Sequence, residues 1–213
     1  MSIRSHGSGS GRTLARALTT LVLLLVPASV ATAACPVQKT TKAFAGWGDT
    51  ADYAQIPGGS FENGASGWTF ISSKLLLGND EWDVLPGTHS AALGTGIGSL
   101  AATAISPPFC VDATHPYFRF MFKPTAPAGA LTTFIIYKNA SGNLIQQIVG
   151  SRVNTTIMPG AWRPSQINPL SINIPLLEAG GTATVQLGFM SPLSWGGASY
   201  YVDNILVDPY RRG

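Results

Sequence analysis

The chain has 213 residues, with 13 Lys and Arg against 10 Asp and Glu, and it is rich in Gly (24) and Pro (15). Sparse charge and abundant turn formers disfavour long solvated helices and suit short strands joined by tight turns. The formal charge of +3 does not point to nucleic acid or an anionic membrane, because it comes from the leader.

Residues 1–33 read as a secretory signal peptide. Arg4, Arg12 and Arg16 form a basic start, Leu21 to Val26 is an apolar run closed by Pro27, and Ala31-Thr32-Ala33 supplies the small-x-small cleavage pattern. The run is far short of the roughly 20 apolar residues of a membrane span. A lipid anchor at Cys35 is the competing reading, but Thr32 stands where a lipoprotein box prefers Leu. A secreted chain is therefore expected. Without the three leader arginines the mature chain holds 10 basic and 10 acidic residues and is neutral.

Residues 34–57 form an N-terminal arm with few periodic positions, anchored by Phe44, Trp47 and Tyr53. Cys35 and Cys110 are the only cysteines, and in an exported chain their single possible pairing is read as a disulfide. Closing a loop of about 75 residues contributes on the order of 4 kcal/mol through the unfolded state. A redox role would want two cysteines close in sequence, and these are not.

From Gly58 onward, strand signals recur between Gly, Pro and Asn punctuation. Phe118, Phe120 and Phe122 alternate with Tyr117, Arg119 and Lys123, which predicts one buried and one wet face. Leu131–Lys138 and Leu144–Val149 flank the turn Asn139-Ala140-Ser141-Gly142-Asn143 as a hairpin. Leu170, Ile172 and Ile174 mark a further strand, as do Ala183, Val185, Leu187 and Phe189. A short helix is expected only around Leu176–Ala179. In the last strand Val202 has one parity while Ile205 and Val207 have the other, so a bulge is expected at Asp203-Asn204. The expected fold is all-β: a jelly-roll sandwich of two antiparallel sheets, one domain over residues 58–213.

Gly59-Ser60-Phe61-Glu62-Asn63-Gly64 followed by Gly67-Trp68, then Thr88-His89-Ser90-Ala91-Ala92-Leu93, then Tyr201-Val202-Asp203-Asn204-Ile205, resemble the opening, next and closing segments of galactose-binding-like jelly rolls. That is the fold of many carbohydrate-binding modules. The lead-in Phe44-Ala45-Gly46-Trp47 and the closing Val207-Asp208-Pro209-Tyr210 are closer still to a largely uncharacterised group of secreted bacterial proteins. In sugar-binding members, acids at the positions of Glu62 and Asp203 commonly help hold a structural calcium, so the resemblance implies a Ca²⁺ here. Asn204 stands where a second aspartate is frequent, which lowers the charge of such a site. The competing reading has Glu62 satisfying turn amides and Asp203 capping the bulge.

Sugar recognition uses aromatic faces against the C–H side of a pyranose, with polar neighbours for the hydroxyls. Trp68 belongs to the opening signature and is expected in the core. Trp82, Trp162 and Trp195 lie in loop-like contexts and are the candidates for a binding face. Trp82 leads, because Asp80, Glu81 and Asp83 offer acceptors beside it. Tyr117, Arg119, Tyr137 and Gln146 are expected to line the polar face of the sheet. Catalysis has little support. Glu62, Asp80, Glu81 and Asp83 are the possible carboxylates for glycoside hydrolysis, but three crowd one loop. His89 and His115 lack metal-motif spacing, the run Gly94-Thr95-Gly96-Ile97-Gly98 lacks a strand-to-helix context, and Ser141 and Ser151 lack nucleophile-elbow surroundings. The sequence thus suggests a secreted, monomeric, non-catalytic binder of extracellular polysaccharide or cell-surface glycan. A surface or matrix protein making protein contacts through the same sandwich is the alternative.

Overall fold

Phe118, Phe120 and Phe122 stand on one face of the strand Tyr117–Pro124 and are buried, as their period-two spacing requires. In this computed structural model the described residues are 35–82, 84–94, 101–112, 114–125, 130–139, 141–153, 160–170, 182–191 and 200–208. The expected signal peptide and the helix near Leu176–Ala179 lie outside them, as do Ile172 and Ile174.

The strands are β1 (Thr40–Thr41), β2 (Tyr53–Gln55), β3 (Thr69–Ile71), β4 (Ser73–Leu77), β5 (His89–Leu93), β6 (Ala102–Ile105) and β7 (Phe109–Val111). They continue as β8 (Tyr117–Pro124), β9 (Leu131–Lys138), β10 (Leu144–Val153), β11 (Arg163–Pro164), β12 (Asn168–Pro169), β13 (Ala183–Ser191) and β14 (Tyr200–Asp208). Single 3₁₀ turns occupy Ala45–Trp47 and Asn63–Ala65. The strands form two antiparallel sheets, and the fold is the all-β jelly-roll sandwich expected. Sheet A runs β1-β2-β14-β5-β4, with β8 on the other side of β14 and β11 and β12 beyond it. Sheet B runs β10-β9-β13-β6-β3, with β7 also on β13.

Each sheet is built the same way around one long strand. β14 has β8 along its whole length on one side. On the other side it pairs with β5 through Tyr200–Val202 and with β2 through Leu206-Val207. β13 likewise has β9 on one side, and β7 and then β6 on the other. Where the short partners change over, backbone groups of the long strand need other partners. In sheet B Ser106 provides them: its N–H donates to Leu187 O at 2.8 Å and its Oγ accepts from Leu187 N at 2.9 Å. In sheet A, Ile205 N donates to Gly59 O at 2.9 Å and Ile56 N to Ile205 O at 3.3 Å. Gly59 is required there, since a Cβ would lie 2.5 Å from Ile205 O.

The main core lies between the sheets. Phe118, Phe120 and Phe122 meet Phe61, Leu93, Ile135, Leu187 and Phe189, all buried. Phe120 and Phe189 pack edge to face at 4.9 Å. Trp68 joins them, 8% exposed, with its indole N–H donating to Gly58 O at 2.9 Å. The expected disulfide joins Cys35 to Cys110, with Cα atoms 5.5 Å apart.

A second, smaller core sits on the outer face of sheet A. It holds Phe44, Tyr53, Met121, Trp162 and Leu206, with Trp47, Val84, Leu85 and Tyr201 packed against it. The arm creates it: β2 extends sheet A beside β14, and the turn at Ala45–Trp47 lays Phe44 over that face. The outer face of β8 is therefore not the wet face its alternation predicts. Met121 is fully buried and Arg119 is 9% exposed.

Candidate functional site

The chain leaves β4 at Leu77 and crosses to β5 through residues 78–88, and this loop carries Asp80, Glu81 and Trp82. Asp80 was expected to face outward as a hydroxyl acceptor. It points inward instead, at 2% exposure. Its Oδ1 accepts from Trp82 N at 2.8 Å and Val84 N at 3.4 Å, and its Oδ2 from Asn204 Nδ2. Its own N–H donates to Asp203 Oδ2 at 3.3 Å. Asp80 is the pin that fastens this loop to β14.

The pin enters where β14 breaks its ladder. Met121 faces Asp203 and Arg119 faces Leu206, so β14 has one residue more than β8 across that interval. This is the expected bulge, and Asn204 accommodates it at φ +46°, a conformation Asn adopts more readily than most residues. Asp203 Oδ1 accepts from Asn204 N at 2.7 Å. Asp203 is fully buried, and burial pushes its carboxyl up to about 8, with the charges of Asp80 and Glu62 adding to the rise. Among the described residues, the buried Oδ1 of Asn204 has no hydrogen-bond partner.

Glu62 does not join this cluster. Its carboxylate accepts from Thr88 N at 2.7 Å, His89 N at 2.8 Å and Thr88 Oγ1 at 3.1 Å. Burial raises its pKa, but those bonds outweigh it and hold the carboxyl below its usual range. Among the described residues, the group of potential metal ligands that lie together is Cys35, Asp112 and His115. The Cys35 sulfur is committed to the disulfide, so no thiolate is available there.

Trp82 projects from the pinned loop with 61% of its surface exposed. Its ring meets the half-buried Trp47 of the arm edge to face at 5.2 Å. Trp162, expected as a loop aromatic on the binding face, is 5% exposed because the second core takes up its ring. Arg119 is likewise no surface ligand group. Its Nε and Nη2 donate to Ser165 O at 3.0 and 2.8 Å, its Nη1 donates to Asp49, and its guanidinium lies 4.5 Å over the Phe44 ring. Arg119 and Asp49 lock the arm onto sheet A. Tyr117 is 41% exposed, but it lies six residues along β8 from Lys123, about 20 Å away. Tyr137 is buried and donates to Leu170 O. Asp83 and Trp195 lie outside the described residues.

Beside the second core is a pocket of about 150 Å³ lined by Leu77, Asn79, Ser90, Lys123, Trp162 and Tyr201. Lys123 and Tyr201 are direct cross-strand neighbours. The Lys123 ammonium sits 5.3 Å from the Trp162 centroid and 5.4 Å from that of Tyr201, within cation–π range of both. The sequence reading missed this pocket, having paired Lys123 only with solvent. Among the described residues, no helix is long and apolar enough to cross a membrane.

No family model matches the chain, and no curated protein matches it. Solved structures resemble it at low identity. The enzymatically active domain of bacteriophage CBA120 tailspike protein 4 is 16% identical with a TM-score of 0.47, over 72% of this chain and 21% of that one. An arabinose-bound α-L-arabinofuranosidase is 12% identical with a TM-score of 0.46, over 75% and 27%. The chain thus spans about a fifth and about a quarter of those two proteins. A family 11 carbohydrate-binding module from Clostridium thermocellum, in complex with a mixed-linked tetrasaccharide, is 16% identical with a TM-score of 0.44, over 72% and 95%. All three scores lie below one half, and these likenesses carry no inference about ligand or activity.

Proposed function

We propose that this protein is a secreted, non-catalytic module that binds extracellular glycan on the outer side of sheet A, through Trp82 and the groups around it. The observation that carries the reading is Trp82 itself: a largely exposed indole, propped by Trp47 and held on a loop that buried Asp80 fixes to β14. A ring propped in water on a fixed backbone suits stacking on a sugar, because less freedom is left to be lost on binding. The resemblance of the opening and closing segments to sugar-binding jelly rolls supports the same reading. The alanine variant of Trp82 tests it: retention on an insoluble polysaccharide should be lost while the melting temperature stays within a few degrees. Unchanged retention would remove Trp82 from the binding face.

The reading includes a structural divalent cation, with its ligands redistributed. Asp80 and Asp203 are both buried, and the Asn204 side-chain amide adjoins them, its nitrogen donating to Asp80 and its Oδ1 buried; with that amide turned over, the three would offer the all-oxygen donor set that Ca²⁺ accepts. Bound there, the ion would supply positive charge to two carboxylates that have no cationic partner among the described ion pairs. Glu62 contributes charge nearby, with its oxygens turned to Thr88 and His89.

A second reading has one observation in its favour. β10 is the edge strand of sheet B and exposes Leu144 at 63%, Ile145 at 44% and Val149 at 66%, an apolar edge of the kind that pairs with another protein. A protein indifferent to every sugar on a glycan array, whose attachment to cells is lost when Leu144 and Val149 become lysine, would favour that reading.

A further inference from the structure

We infer that the glycan this face takes is acidic, and that Lys123 receives a uronate carboxylate in the pocket it lines with Trp162 and Tyr201. This deepens the glycan reading and rests on it. The Lys123 ammonium is held over two rings at 5.3 and 5.4 Å, and among the described residues no carboxylate forms an ion pair with it. The rings fix its position without neutralising it. Ser90 and Asn79 line the same pocket as polar groups, although Ser90 is buried and the Asn79 amide nitrogen donates to Leu85 O at 3.3 Å. At about 150 Å³ the opening is on the small side for a drug-sized ligand, as suits one carboxylated ring rather than a chain threaded through. Trp162 is too deeply buried to offer its face to a pyranose. Its part is to hold the cation, and stacking is left to Trp82, three residues along the loop from Asn79.

The register extends the argument from one sugar to a polymer. Lys123 faces Tyr201, Tyr201 faces Ala92, and Ala92 faces Lys74, so these side chains form one row across sheet A. Tyr201 and Lys123 face the pocket, and residues in register share a face. Lys74 is exposed and lies three strands from Lys123, about 14 Å away. Ala92, in the middle of the row, is fully buried and offers a ligand no contact of its own. One carboxylate can meet only one of these cations, whereas a polymer with a carboxylate on every residue can meet both. A polyuronate is the ligand class this row fits.

The experiment is affinity electrophoresis of the full secreted chain in gels containing polygalacturonate or neutral galactan, with an NMR titration using monomeric galacturonate against galactose. Polygalacturonate should retard the wild type, and retardation should fall as salt rises. Lys123→Met keeps the stem and removes the charge, and it should weaken binding about tenfold or more. Lys123→Arg should retain most of the binding, and Lys74→Met should weaken the polymer but not the monomer. Galacturonate, unlike galactose, should move the Trp162 indole resonance in the wild type and not in Lys123→Met. Equal melting temperatures for the variants show that the fold is intact. Binding to galactan that is blind to Lys123→Met, with no response to galacturonate, overturns the acidic-ligand inference and leaves the glycan reading standing. No retardation by either polysaccharide and no response to either sugar overturns both.

Discussion

Trp68 and Trp82, which the sequence already assigns to the core and to a loop, should behave in opposite ways. Trp68 is a core residue whose ring touches Phe61 at 4.7 Å and whose N–H is committed to Gly58. Its replacement by Ala should cost roughly 3 to 5 kcal/mol and is expected to unfold the domain in a urea titration. Trp82→Ala should cost under about 1 kcal/mol, in the range of surface substitutions, and should appear only in binding. Gly59→Ala is a third contrast. Its new Cβ would press on the Ile205 carbonyl, and overpacking of that kind costs about 1 to 3 kcal/mol, which a thermal melt will read. Asp49 makes a prediction in pH. Burial raises its carboxyl, but hydrogen bonds from Tyr53, Ala51 and Arg119, with the Arg119 charge, outweigh that and hold it below its ordinary value of 3.8. A group whose folded pKa is lowered stabilises the fold above its unfolded pKa, and the benefit fades as pH falls through the folded value. The melting temperature of Asp49→Asn should therefore fall short of wild type at pH 6 and converge on it as pH drops below 3.8.

Elements near in sequence were easier to read than elements that meet only through the fold. The hairpin of β9 and β10 was legible as two strand-like runs around the turn Asn139-Ala140-Ser141-Gly142-Asn143, and the bulge of β14 in the parity of Val202 against Ile205. The pairing of Cys35 with Cys110 followed from there being no other choice. The alternation of β8 identified the inner face correctly, but nothing within that strand says what lies over the outer one. Arg119 and Trp162 therefore read as surface groups, when the arm covers the first and the second core takes up the other. Asp80 misled for a similar reason, since an acid in a polar loop is usually wet, and its partner Asn204 lies 124 residues away. The disulfide is the element-scale test of this arrangement. Cys110→Ser should cost on the order of 4 kcal/mol, the loop-entropy value for a closure of this length. Limited proteolysis of the variant should cut first between residues 36 and 52. Wild-type resistance in that segment would show that β2 and the Arg119–Asp49 lock hold the arm without the bridge.

For the whole molecule, the proposed cation is tested through linkage. An ion that binds the folded state alone adds RT ln(1 + [L]/Kd), about 2.7 kcal/mol at a hundredfold excess over Kd. Calcium should raise the melting temperature of the wild type and a chelator should lower it, and Asp80→Asn and Asp203→Asn should blunt both effects. A wild type indifferent to both reagents would mean that the two acids act only as caps of the bulge and the loop. The disulfide also bears on how the molecule carries load. It joins the start of the arm, whose strands belong to sheet A, to β7 of sheet B. A pull applied at Cys35 therefore enters sheet B through the sulfur bond and is shared along the β7–β13 ladder, bypassing β1, β2 and the Trp47 prop. Tension at that end would leave the loop of Trp82 unloaded, so the geometry proposed for binding would be the same in a copy pulled from Cys35 as in a free one.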